Sequence, residues 1–274
     1  MTSEKPPLDG QTPSQRPAAS PESQNPQDSP AQDSQDSPSP ESSTLGVRVL
    51  AQPGDAVCGP TCLHAIYRFF DHEVPISRVV DEIPPLPDGG TLAVFLGRHA
   101  LKEGFAATIY TSNLQTFDPT WFRKDVKLAE KLRAQMQVKK DPKLRLACQA
   151  YLEFLEAGGK IRMRTLSLDL VRGLLDRGVP VLAGLSATYL YECPRELPDG
   201  TPDDVAGSPS GHFVILQGYD ADREHVLIAD PWPDNPEFSK PYYSVEISRL
   251  LAAVHLGIVT YDANLLVIEP PHRP

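Results

Sequence analysis

Positive charge is what this sequence has least of for its size. Its 26 Lys and Arg stand against 36 Asp and Glu, giving a formal net charge of -10 over 274 residues. The pI is about 5.2. A nucleic-acid-binding surface needs a basic field, so no nucleic-acid partner is expected. Long hydrophobic runs are also missing. No apolar stretch approaches the roughly 20 residues that cross a bilayer, and the opening MTSEKPPLDGQTPSQ lacks the apolar centre of a secretory signal. The expectation is a cytoplasmic chain with no membrane partner. The four cysteines, Cys58, Cys62, Cys148 and Cys193, form no CxxC pair and no Cys/His set with zinc spacing. Neither a metal nor another cofactor is expected, and in a reducing compartment the thiols stay free. Gly89 and Gly90 have no P-loop pattern around them and read as a turn. No repeat has a strict period.

Proline, by contrast, is abundant at 29 residues. Residues 1 to about 45 consist mainly of Pro, Ser, Gln and Asp and almost lack large apolar side chains. Burial cannot offset ordering entropy in such a segment, so it reads as a disordered tail. Residues 46–274 carry the periodic patterns. GVRVLAQ is a short strand or extended lead-in. In CGPTCLHAIYRFF, the residues Cys58, Cys62, Ala65, Ile66 and Phe69 recur at helical spacing, and Pro60 suits a first turn. TLAVFLGRHALKEG predicts a second helix, with Thr91 as N-cap and Gly104 as its stop. FAATIYTS reads as a strand. Apolar stripes from Phe122 to Met136 and from Leu144 to Leu155 predict two more helices, in a segment of about 118–160 that reads as a helical insertion. Ser167 opens a helix over LDLVRGLLDRG. VPVLAGLSA, HFVILQGY, HVLIAD and ANLLVIEP are strands. Helices followed by mostly antiparallel strands make an α+β pattern.

Cys58 falls at a helix start. A helix N-terminus supplies partial positive charge and free N–H groups, which favour a thiolate nucleophile. Gly59 beside it leaves space for a substrate to approach the backbone. A nucleophilic cysteine also needs a His base and a group that orients the His. Among seven histidines, His64 sits on the nucleophile's own helix and His272 in the tail end. His212 opens an apolar strand after Gly211, and Asp230 ends the next strand. If residues 220–222 form a three-residue hairpin loop with Tyr219 opposite Arg223, His212 faces Asp230 on one side of the sheet. A register displaced by one residue separates them. The Cys58 N–H and the Gln52 side-chain amide are candidate oxyanion donors.

Each of these features taken singly has a plainer reading: a buried thiol, a packed histidine, a turn aspartate. Their conjunction, in the order Gln52, Cys58, His212, Asp230, is more specific. QPGDAVCGPTCL, GHFVILQGY and VLIADPW together resemble the papain-like peptidases that remove leader peptides from bacteriocins, and their stand-alone relatives. The resemblance implies a papain-like cysteine peptidase fold, with the nucleophile helix packed on an antiparallel sheet. It implies a Cys58–His212–Asp230 triad, Gln52 in the oxyanion hole, and a peptide or peptide-like substrate. Val57 departs from the family, which often has Asp before the nucleophile.

Two other functions use the same residues. An acyltransferase, as in phytochelatin synthases, passes the acyl group to an amine instead of water. A binding domain keeps the fold without the chemistry. The acidic loop at 191–211 reads as a solvated loop, with a cationic-substrate site as its sharper alternative. Cys62 reads as core. Trp232 is placed either to wall a cleft or to pack.

Overall fold

The structure is a computed structural model that describes residues 43–54, 56–86, 89–220 and 222–270. The expected disordered tail lies outside the described residues up to position 42, as does His272. The sheet takes up the chain at β1 (Ser43–Thr44), just before the expected boundary at 46. Then follow α1 (Cys58–Phe69), α2 (Ile76–Glu82), α3 (Ala93–Lys102), β2 (Ala106–Thr111), α4 (Leu128–Val138), α5 (Pro142–Glu156) and β3 (Lys160–Met163). The second half contains α6 (Leu168–Leu175), β4 (Val181–Ser186), α7 (Ala187–Leu190), β5 (Gly211–Asp220), β6 (His225–Ala229), β7 (Tyr242–Glu246), α8 (Ile247–Leu256) and β8 (Asn264–Glu269).

Among the described residues the strands form one sheet in the order β3-β2-β8-β4-β5-β6-β7, with β1 also paired to β5. Every pairing is antiparallel except β2 with β3. Alternation along the strands feeds two cores. Phe213 and Ile215 of β5 join α1, α3 and α5 on one face, while Val214 and Leu216 join α6, α7 and α8 on the other. The expected α+β class, with a nucleophile helix on an antiparallel sheet, is the observed one.

α1 packs tightly because Gly59 has no side chain. A Cβ there would lie 2.7 Å from Thr91 Cγ2 and 3.2 Å from Phe213 Cδ2. Gly59 therefore serves the contact of α1 with β5, and it does not open space for a substrate as its position suggested.

The β5–β6 hairpin differs from the expected one. Its loop is four residues long, since Asp220 pairs with His225, and the register at the tip is displaced from Tyr219–Arg223 to Tyr219–Val226. Carried on unchanged, that odd register would put His212 and Asp230 on opposite faces. A bulge at Gln217 inserts one residue, after which Leu216 pairs with Ile228 and Ile215 with Ala229. Both side chains then return to one face. The bulge is braced from outside: the Gln217 carbonyl accepts from Leu45 N at 2.7 Å. At Gly218 an added Cβ would come within 2.2 Å of the Ser43 carbonyl oxygen.

Three further features depart from expectation. The stripe beginning at Phe122 is broken: Pro119–Phe122 is a 3-10 turn capped by Asp118, and Asp125 adopts φ 70 before α4 begins. Thr91 is not the cap of α3. The helix starts after Leu92, Asp262 Oδ1 accepts from Ala93 N at 3.4 Å, and the buried Thr91 hydroxyl has no hydrogen-bond partner. β3, β7 and α8 were not anticipated, because β3 is short and β7 and α8 follow a Pro-rich loop without a break in hydropathy.

Gly218→Ala should lower the melting temperature, with a destabilisation of about 1–3 kcal/mol as the added methyl displaces Ser43, and thermal unfolding checks this. Asp262 provides a pH test. Burial pushes its carboxyl up to about 8, although the Ala93 amide and Lys143 oppose the shift. Folded Asp262 thus keeps a proton that the unfolded chain releases near 3.8. That contribution to stability is complete at low pH and is lost as pH rises toward 8. Asp262→Asn should flatten the decline in melting temperature over that interval.

Candidate active site

Cys58 is the first residue of α1, so its amide is among those with no intrahelical carbonyl to bond. It is buried, at 5 % exposure. One turn on, Cys62 is fully buried and its thiol donates to the Phe213 carbonyl at 3.3 Å. Burial first, then the nearby Cys58 and Asp230, push the Cys62 thiol well above its usual range. Cys62 is thus core, and it ties α1 to the residue next to His212.

His212 and Asp230 are brought together. His212 Nε2 lies 2.9 Å from Asp230 Oδ1, and both residues are buried. Cys58 acts electrostatically on the same imidazole and favours its protonated form. With Nε2 engaged by Asp230, the other ring nitrogen is left for the thiol. Burial alone would push the imidazole down. Burial is the largest single effect, but the charges of Asp230 and Cys58 and the hydrogen bonds together outweigh it, and His212 is held up at about 10.

Asp230 is at 0 % exposure. Burial raises its carboxyl, but the His212 charge, aided by hydrogen bonds, brings it below the usual range. Oδ1 also accepts from Trp232 N at 2.9 Å. Oδ2 accepts from the hydroxyls of Tyr191 and Tyr243, each at 2.6 Å. These tyrosines were not singled out from the sequence, and no local signal marks them. Tyr191 follows α7 and Tyr243 lies in β7, and only the tertiary fold makes them converge. Trp232 packs, one of the two readings open to it: its half-buried ring stands edge-on 6.0 Å from the His212 ring and 5.6 Å from Tyr191.

Gln52 is attached to this centre through its backbone, which donates to the Pro231 carbonyl at 2.8 Å. Its side-chain Oε1 is buried without a hydrogen-bond partner. The 191–211 loop bonds mainly to itself. Asp199 caps Thr201 N, Asp203 caps Val205 N and Ala206 N, and Glu192 pairs with Arg249. Its acidic side chains build turns, which agrees with the plainer reading.

The sequence matches the model of the Peptidase_C39 like family over residues 44–246. The chain belongs to this family. The papain-like cysteine peptidase fold expected from the sequence is therefore its fold. Among solved structures it resembles a putative C39-like peptidase from Bacillus anthracis, at 16% identity and TM-score 0.48, covering 85% of this chain and 100% of that one. It also resembles a double glycine motif protease from an AMS/PCAT transporter in complex with the leader peptide, at 14% identity and TM-score 0.41, covering 83% and 94%. Xylellain, a cysteine protease from Xylella fastidiosa, is similar at 18% identity and TM-score 0.40, covering 84% and 86%. Among curated proteins none matches. No helix among the described residues is long and apolar enough to cross a membrane.

Among the described residues one group has the donors of a metal site: Glu82, His99 and Glu103, with ligand atoms within 4.8 Å of one another. Arg78 bonds both carboxylates, at 2.8 Å and 2.7 Å, and Lys102 takes Glu82 at 2.6 Å. The anionic oxygens already face cations, so the group is an ion-pair network joining α2 to α3.

The raised His212 value fixes the sign of a pH effect. Its contribution to stability is complete below 6.5 and is lost as pH rises toward 10. Asp230→Asn removes the carboxylate charge that lifts the imidazole. Melting temperatures of that variant should lose the part of the decline that wild type shows between those two values.

Proposed function

We propose that this C39-like protein is a cysteine peptidase or amidase using Cys58, His212, Asp230 and Gln52. The observation that carries the reading is the buried His212–Asp230 hydrogen bond at 2.9 Å, with Cys58 favouring the protonated form of the same ring. His212 takes the Cys58 proton, and the sulfur attacks the carbonyl carbon of the scissile amide. The oxyanion is met by the Cys58 N–H and the Gln52 side-chain amide. The imidazolium returns its proton to the departing amine, leaving a thioester on Cys58. Water then gives a proton to His212 and attacks the thioester, which releases the acid and restores the thiol. Asp230 keeps the imidazole oriented and stabilises its cation throughout.

Family membership supports a peptide as substrate. Gln52 is supported by its backbone bond to Pro231, which sets it next to the Asp230 turn. The segment that precedes β1 is proposed as a tether or solubilising tail. A cytoplasmic setting is proposed from the composition.

Iodoacetamide labelling across pH 4 to 9 tests the centre. Cys58 should label fast, while Cys62, held in the core, labels slowly. His212→Ala should abolish the fast phase, and Cys58→Ala should abolish peptide hydrolysis without changing the melting temperature by more than about 1 kcal/mol equivalent. Slow labelling of Cys58 in wild type would favour a non-catalytic binding domain.

A further inference from the structure

Asp230 receives more donors than a merely orienting carboxylate needs. This inference rests on the triad proposed above. We infer that Tyr191 and Tyr243 are positioning residues of that triad: their hydroxyls hold the buried Asp230 carboxylate ionised, with Oδ1 directed at His212.

A carboxylate offers about four acceptor directions on its two oxygens. Here four donors fill them: His212 Nε2 and Trp232 N on Oδ1, and the two phenols on Oδ2. A neutral acid would have to place its own proton on an oxygen that already faces donors. Protonation of Asp230 would therefore break hydrogen bonds at a site closed to bulk solvent. Hydrogen bonds to the charged form favour it, and they offset the burial that would otherwise neutralise the group. Without the phenols, burial would have the larger say, and a neutral Asp230 would no longer stabilise the His212 cation.

Both rings are held by aromatic neighbours. Tyr243 stacks on Phe238 with centroids 3.9 Å apart, and Tyr191 stands edge-on to Trp232. Arg249 holds the other side of Tyr191: it bonds the Leu190 carbonyl at 2.6 Å and pairs with Glu192 and Glu237. Phenylalanine would fill either space equally well as far as packing goes. A buried hydroxyl is costly unless bonded, and these two both bond Asp230.

The test uses the full chain and does not need a substrate. The His212 ring is titrated by NMR in wild type, Tyr191→Phe, Tyr243→Phe and the double variant, with thermal melting beside it. In wild type the midpoint is expected at about 10. Each single variant should lower it by about one unit, a tenfold loss of proton affinity, and the double variant should lower it further. Iodoacetamide labelling of Cys58 near pH 6 should slow in parallel. An unchanged His212 midpoint in both single variants overturns the inference, even if melting temperatures fall, because a packing role alone would not move that titration. A wild-type midpoint near 6.5 overturns the triad reading itself, and this inference with it. Either single variant suffices if the double variant does not fold.

Discussion

A charged carboxylate in a dry interior is tolerated only where the surrounding chain supplies every donor it needs. Asp230 imposes that requirement on four elements. β5 brings His212, the turn after β6 brings the Trp232 amide, the end of α7 brings Tyr191, and β7 brings Tyr243. Its own backbone N–H bonds the Pro241 carbonyl at 2.8 Å, and the next carbonyl, of Pro231, holds Gln52. One residue thereby links the lead-in segment, the middle of the sheet and the α7–α8 layer.

The proposed nucleophile comes from the other layer. Cys58 sits on α1, which packs against the face carrying Phe213 and Ile215. Two contacts set the separation of that helix from β5. Gly59 lets the helix approach the Phe213 ring, and the Cys62 thiol bonds the Phe213 carbonyl. Phe213 is next in sequence to His212, so the same residue that anchors the helix spaces the thiol from the imidazole. A side chain at position 59 would have to push aside Thr91, Leu96 and Phe213 together.

Much of this was readable in the sequence wherever a periodic pattern met a strong boundary residue. Pro60 in a first turn, Ser167 as a cap and Gly211 before an apolar run marked α1, α6 and β5. Gln52, Cys58, His212 and Asp230 emerged from their order and residue types. What could not be read was set by contacts distant in sequence. The bulge at Gln217 depends on β1, which pairs with a strand far along the chain. The cap of α3 comes from Asp262, and it displaced the local candidate Thr91. Tyr191 and Tyr243 lie in unlike contexts and share only a target. Gly59 looked like an opening for substrate because its crowding by Thr91, Leu96 and Phe213 is invisible in one dimension.

The bulge also separates two jobs within one hairpin. The parity that sends His212 and Asp230 to a common face is decided at Gln217, where Leu45 braces the backbone, and not at the loop beyond Asp220. The tip works like the free end of a clamped ruler, where changes in length or sequence are not transmitted past the clamp. Residues from Asp220 to His225 can therefore drift over evolution, or accept a grafted segment, while the half of the hairpin that carries His212 and Asp230 keeps its alignment.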